Sequence, residues 1–232
     1  MKKHGKRYRK SQEKSNPKEL KVSEAVDALK SFERAKFIES VDLAFNLNID
    51  TKQSDQMVRG TVALPHGTGK QVVVAVFSKS VGTQDAKNAG ADFVGADDLM
   101  EKVKGGWLGF DVAVATPDMM KDLSKLGKIL GPKGLMPSPK AGTVTTDVLR
   151  TVKEIKKGKV EYKVDKAGNI HLAIGKVDFA KEQLVENALS VIEAVIRSKP
   201  VSVKGIYIKS VSLSATMSPS VRVDIREMLA AS

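Results

Sequence analysis

The sequence contains no cysteine, which excludes disulfides, thiolate nucleophiles and thiolate metal ligands and fits a reducing compartment. Its three histidines, His4, His66 and His171, lie in three separate regions with no ligand or nucleophile spacing among them. Each reads as a surface or hydrogen-bonded histidine, and neither a metal nor any other cofactor is expected. Aromatic residues make up 5%, too few for a platform on which the bases of an unstructured strand would stack. Long apolar runs are also missing. The longest, Val72 to Phe77, is much shorter than a bilayer-spanning helix. No apolar stretch follows the basic N-terminus as a secretory signal demands, and no basic amphipathic helix of the membrane-surface kind stands out. A cytoplasmic protein with no membrane partner is expected.

What is present is charge, carried on an ordinary foldable background of 232 residues, 41% of them apolar. The net charge of +12 is concentrated in two places. Residues 1–21 hold nine Lys/Arg against two Glu, and residues 121–166 hold twelve against five acids, while the rest sums to about zero. Positive charge gathered in this way releases counterions on meeting a polyanion, so nucleic acid or an anionic membrane leads the partner classes, against the plainer reading of a soluble protein with basic tails.

Periodicity divides the chain. The run Lys2 to Lys10 is too charged to pack by itself and is expected to order only against a partner or the domain surface. A helix follows, with Ser23 as its cap and Ala25, Val26, Leu29 and Phe32 as one apolar stripe. Val41, Leu43, Phe45, Leu47 and Ile49 then alternate with polar or small residues, the period of a strand with one face in water. In the middle, Gln71 to Phe77 and Asp111 to Ala115 are continuous apolar runs, as in strands covered on both faces. Helices at Thr83 to Ala89, at Asp97 to Lys104 and from a Thr116 cap with Pro117 at the first position punctuate them, the rhythm of a small parallel α/β domain. After Gly158 alternation returns in Val160, Tyr162 and Val164 and in Ile170, Leu172 and Ile174, which read as a hairpin around Asp165 to Asn169. A long helix capped by Asp178 buries Leu184, Val185, Ala188, Leu189, Ile192, Val195 and Ile196 and stops at Pro200. The last strands, Ile206 to Ala215 and Val221 to Ile225, change phase between Ile208 and Val211, which predicts a bulge.

The fold class is therefore α/β. Residues 1–65 and 159–232 are expected to form a discontinuous α+β domain with an antiparallel sheet. Residues 66–158 are expected to form an inserted, Rossmann-like domain with a parallel sheet, joined by two chain crossings that make a hinge.

Catalytic chemistry finds little footing. Pro65-His66-Gly67-Thr68-Gly69-Lys70 has the look of a phosphate loop, but Gln71 follows the lysine and opens a strand, so it reads as a flexible junction. Gly127 to Gly142 carries four glycines, three prolines and three lysines, including Lys133 and Lys140. Such a loop can bring N–H groups and ammonium charges to phosphates, or can be an ordinary surface loop or domain contact.

Several stretches closely resemble one family, that of large-subunit ribosomal protein one, the ribosomal stalk protein, in its bacterial form. They are Lys3 to Tyr8, Ser54-Asp55-Gln56 with Val58 to Thr61, Leu64 to Gly67, Ala89 to Asp92, Ala115 to Asp118, Gly131 to Pro137 and Thr216 to Arg222, in order from residue 3 to about 226. The resemblance implies a structural, non-enzymatic ribosomal protein that is monomeric when free of the ribosome. Its implied partners are the stalk region of 23S-type ribosomal RNA, exit-site tRNA and the messenger RNA of its own operon. It implies RNA-binding roles for Lys36, Phe37, Ser40, Thr216, Met217 and Ser218, with Asp165, His171 and Ser210 bordering the same surface. Lys2, Lys3, Lys6 and Arg7 in the tail, and Lys133 and Lys140 in the second domain, are further candidates. Read without the resemblance, Phe37 and Met217 are core residues, Lys36 a solvated charge and Thr216 a turn residue. Two departures stand out: Ser218 occupies a position that is glycine in the family pattern, where a hydroxyl replaces a bare backbone, and Ser40 stands where threonine also occurs, which keeps the hydroxyl and loses a methyl.

Overall fold

The computed structural model describes residues 5–15, 18–79, 82–226 and 228. Its elements run α1 (Lys6–Lys14), α2 (Val22–Ser31), β1 (Ser40–Leu47), β2 (Arg59–Ala63), β3 (Val74–Phe77) and α3 (Thr83–Asn88). There follow β4 (Phe93–Gly95), α4 (Asp97–Lys104), β5 (Val112–Ala115), α5 (Met120–Ser124), α6 (Gly127–Leu130) and α7 (Val148–Lys156). The chain closes with β6 (Lys159–Lys163), β7 (Asn169–Lys176), α8 (Lys181–Arg197), β8 (Ile208–Ala215) and β9 (Val221–Val223). The fold is mixed α/β, in two compact units: residues up to Gly69 together with those from Val160 onward, and Lys70–Lys159.

In the first unit the alternation of β1 becomes burial: Val41, Leu43, Phe45 and Leu47 point into the core, and Asp42, Ala44 and Asn46 point away. β1 lies inside a four-stranded antiparallel sheet of order β7-β1-β8-β9. Its inward face packs on α2 and α8 through one continuous core. The predicted bulge is present: Asn46 faces Ser210 and Leu47 faces Ile208, so Lys209 is the extra residue and both Ile208 and Val211 reach the core.

The tail orders against the domain surface, one of the two outcomes expected of it: it is a helix from Lys6 onward, with Arg7, Tyr8 and Ser11 on one side half-buried or buried and Lys10 meeting Glu33 at 3.6 Å. Several other local expectations are corrected. Ser23 does not cap α2, which begins at Val22 so that this side chain enters the core; Lys21 precedes it without a side-chain cap. Asp178 does not cap α8 but pairs with Arg34 at 3.4 Å, and the Ala180 N–H at the helix start donates to the Gln183 side chain at 3.0 Å. The buried face of α8 is rotated toward Asn187 and Val191, leaving Val185, Leu189 and Ile196 only partly covered. The hairpin survives only at its turn, where the Asp165 N–H donates to the Asn169 carbonyl at 2.8 Å. Beyond it the strands part, β6 joining β2 and β7 joining β1. Tyr162 on β6 explains the separate pairing, since it is buried and donates its hydroxyl to the Ala194 carbonyl at 3.2 Å. A Cβ at Gly60 on β2 would stand 2.6 Å from that hydroxyl, so only glycine fits there.

Nor is the stretch Pro65 to Gly69 a loose junction. Asn187, fully buried on α8, accepts from the His66 N–H at 3.1 Å and donates to the carbonyls of Gly67 at 3.0 Å and Ile174 at 2.7 Å. His66 Nε2 lies 2.7 Å from Glu186. A buried amide is tolerated only with such partners, and here they fasten the stretch to the helix.

In the second unit β3 is the middle strand of a parallel sheet of order β4-β3-β5. Alternate residues feed two separate cores: Ala75, Phe77, Ala113 and Ala115 one, Val74, Val76 and Val114 the other. Both faces are covered, as the continuous apolar runs require. Thr116 begins a 3-10 turn over Pro117–Met119 rather than capping a helix with its side chain; its hydroxyl is buried with no hydrogen-bond partner among the described residues. The Gly127 to Gly142 stretch is partly helical and anchored by buried Leu130, Pro137 and Ala141.

Among the described residues no helix is long and apolar enough to cross a membrane, and no group of acids and histidines could hold a metal ion.

Candidate nucleic-acid interface

The outward face of the four-stranded sheet is paved with small polar side chains. β1 contributes Ser40, Asp42, Ala44 and Asn46, and β8 contributes Ser210, Ser212 and Ser214, with Thr216 just beyond. Lys176, Ala173, His171 and Asn169 of β7 stand opposite the same β1 residues on the other side. Register puts Ser210 beside Asn46, Ser212 beside Ala44 and Ser214 beside Asp42. From Ser40 to Asn46 the face runs about 20 Å at roughly 3.3 Å per residue. Small hydroxyl and amide groups on an open sheet face leave room for a sugar–phosphate backbone and can supply donors and acceptors for 2′-OH and phosphate oxygens.

One end of this face is closed by two segments. The loop Ala35–Glu39 precedes β1, and the turn Thr216–Ser218 follows β8. Phe37 is 55% exposed and Met217 51% exposed, so both leave the core in which their residue types are usually found. Ile38, which sequence reasoning did not single out, is exposed to 60%. Lys36 is exposed beside them, and Arg34, Lys36, Phe37, Ile38 and Asp178 line an open recess.

The hydroxyls here are already engaged within the protein. Thr216 Oγ1 accepts from the Ser40 N–H at 3.1 Å, and the Thr216 N–H donates to the Ser40 carbonyl at 3.1 Å, which extends the β1–β8 ladder by one pair. Lys176 Nζ donates to Ser40 Oγ at 2.8 Å. Ser218 turns its hydroxyl inward, accepting from the Ala215 N–H at 2.9 Å and donating to the Pro219 carbonyl at 3.0 Å. No described non-glycine residue has a positive φ, so the backbone at Ser218 is one that serine adopts without strain. The serine closes the turn.

Glu39 also escaped the sequence reading. It is buried, and its carboxylate joins the two segments, accepting from the Ala35 N–H at 2.7 Å and from the Met217 N–H at 2.9 Å. Nothing local marks it, because Met217 is 178 residues away along the chain.

The electrostatics of the face are mixed. Burial pushes the Asp42 carboxyl above the usual aspartate range, with His171 and Lys176 pulling the other way. Asp165 is held below that range, first by the Asn169 N–H, and its Oδ2 lies 3.9 Å from His171 Nε2. Asp165 and His171 thus form a pair at the β7 edge, and Ser210 lies at the far end from Ser40. Lys6 and Arg7 sit on α1, whose Lys10 reaches Glu33, three residues before Lys36. Lys2 and Lys3 lie outside the described residues. Lys133 and Lys140 are exposed on the second unit.

A model of the ribosomal protein L1p/L10e family matches residues 29–219. The chain is 50% identical over 231 residues to large ribosomal subunit protein uL1 of Chlamydia trachomatis serovar L2b, an alignment covering 99% of this chain and all of that one. It is 54% identical over 226 residues to large ribosomal subunit protein uL1 of Thermosipho melanesiensis, covering 97% of each. With a family match from one unit through the other and relatives half identical over nearly the full chain, the chain belongs to the ribosomal protein L1p/L10e family.

Proposed function

We propose that the outward face of the four-stranded sheet, closed at one end by Lys36, Phe37, Ser40, Thr216, Met217 and Ser218, grips the stalk segment of large-subunit ribosomal RNA. As a member of this family the chain is a structural protein of the large ribosomal subunit, at work on the ribosome in the cytoplasm, and not an enzyme. The observation that carries the location of the site is the exposure of Phe37 and Met217 on two segments that one buried carboxylate ties together. Apolar side chains held in water at the end of a hydroxyl-rich face suit a partner whose flat bases and backbone are both read. Asp165, His171 and Ser210 border the same face, and Lys6 and Arg7 add charge that is indifferent to sequence.

In this reading the unit of residues up to Gly69 and from Val160 onward, expected as 1–65 and 159–232, is the RNA-binding domain, and Lys70–Lys159, expected as 66–158, is the inserted domain. The assembly forms the mobile stalk at the tRNA exit site and assists release of deacylated tRNA, with Lys133 and Lys140 available to RNA or tRNA. It also represses translation of its own operon by binding the messenger RNA. These finer roles rest on the family resemblance.

The test is affinity for the stalk segment against a scrambled RNA of equal length, across a salt series. A large preference that persists at high salt is expected. Equal affinities that vanish together with salt would leave only a basic polyanion binder. Addition of the protein to a translation extract programmed with its own operon messenger tests repression: synthesis should fall, and an unaffected yield would remove that role.

A further inference from the structure

A buried acid in a surface that receives a polyanion needs a reason, since its charge opposes phosphate and burial of an acid is costly. Glu39 is 4% exposed. Among the described residues its two carboxylate oxygens are taken by main-chain N–H groups rather than by a cation: Ala35 at 2.7 Å and Met217 at 2.9 Å. Its carbonyl accepts from the Val177 N–H at 3.0 Å, at the end of β7. The neighbouring Ser40 pairs with Thr216. Three segments far apart in sequence therefore meet on one residue.

A carboxylate has two equivalent acceptors, whereas the amide of glutamine has one acceptor and an NH2 group that would oppose a second N–H. Charge-assisted bonds to both N–H groups fix the loop Ala35–Glu39 and the turn at Met217 in one arrangement before any partner arrives. Phe37, Ile38 and Met217 are then presented outward at no further ordering cost.

We propose that Glu39 is the positioning residue of the RNA-binding site, locking the Phe37 loop and the Met217 turn into the conformation that recognises RNA. This rests on the reading of the face as RNA-binding, and it predicts an effect opposite in sign to simple electrostatics. Removal of a negative charge should tighten binding to every RNA. Loss of preorganisation should weaken binding to the stalk RNA alone.

The experiment measures affinities of the wild type and Glu39→Gln for the stalk segment and for the scrambled RNA, alongside thermal unfolding of each protein. The variant is expected to be folded and to bind the stalk segment at least about fivefold more weakly, comparable to removal of one good hydrogen bond, with scrambled RNA bound no less tightly. In a Met217→Ala background the same substitution should cost less, because the side chain that the turn presents is already gone. Equal or tighter stalk binding by a folded Glu39→Gln protein would overturn the proposal, as would equal weakening toward both RNAs. Should the variant fail to fold, hydrogen exchange on the free wild type decides. The Ala35 and Met217 amides should be protected despite their place in exposed segments, and exchange at the rate of open loops would overturn the lock. A wild type with no preference for the stalk segment would instead sink the RNA reading itself, whatever those two amides do.

Discussion

The four-stranded and the three-stranded sheets of this molecule treat their faces in opposite ways. The parallel sheet of β3, β4 and β5 sends alternate side chains into two cores, leaving its middle strand nothing to offer a partner. The antiparallel sheet around β1 buries one face under α2 and α8 and lines the other with serine, asparagine and aspartate. Hydrogen-bonded ladders thus yield a sheet covered on both faces in one unit and a sheet with an open polar face, the one proposed to receive RNA, in the other. What separates them is whether every second residue is apolar or small and polar. The lesson is that an open face of short side chains is a designed feature: larger ones would cover the backbone and block the approach of another.

Substitutions should split along that line. The largest effect on stability is expected at Phe77, fully buried in the parallel sheet. Phe77→Ala should cost about 3–5 kcal/mol in denaturant unfolding of its unit, while affinity for the stalk RNA, measured below the transition, moves less than about twofold. A collapse of RNA affinity in the still-folded protein would break the distinction between the units. Met217→Ala and Phe37→Ala should do the reverse. Each should shift stability by no more than about 0.5 kcal/mol and weaken specific RNA binding by about 1–3 kcal/mol, and equal losses on unrelated RNA would contradict the site.

Asp42 gives a smaller effect with a defined pH dependence. Burial raises its carboxyl pKa in the folded state, so between the unfolded and folded values the folded protein holds more protons, and stability falls as pH rises through that window. Asp42→Asn should therefore be more stable than the wild type at pH 7, the difference fading as pH drops below the ordinary aspartate value of about 3.9. Thermal unfolding of both proteins from pH 3 to 7 checks this, and a gap that widens toward acid would reverse the assignment. The smallest effect belongs to the tail. Lys6→Ala with Arg7→Ala should reduce the salt slope of RNA binding by about one for each phosphate no longer neutralised, without changing the preference for the stalk segment. An unchanged slope would place α1 away from the RNA.

Much of the fold was legible because burial leaves a period in the sequence. The alternation of Val41 to Leu47, the continuous runs at β3 and β5 and the phase change at Lys209 all became structure. What the sequence concealed was decided by contacts between distant residues. Tyr162 drew β6 to β2 and away from the strand that follows it, Asn187 fastened a glycine-rich stretch that looks loose, and Glu39 reached a turn at the other end of the chain. Caps failed for a related reason: Ser23 and Asp178 are suitable residue types, but core packing set where α2 and α8 begin. The site was less legible still. Phe37 and Met217 read as core on composition, and their exposure in the structure overturns that reading; a role in binding came from the resemblance alone. Ile38, Ser212 and Ser214 had no local signal beyond the alternation of their strands or neighbours.

The measurement that meets the central claim most directly is hydrogen exchange of the whole protein with and without the stalk RNA. Slowed exchange is expected in residues 35–42, along β7 and β8 and at 216–218, with β3 and β5 unchanged. Protection concentrated in residues 121–142 of the second unit, with the face around β1 unaffected, would contradict the account and move the RNA to the other basic region.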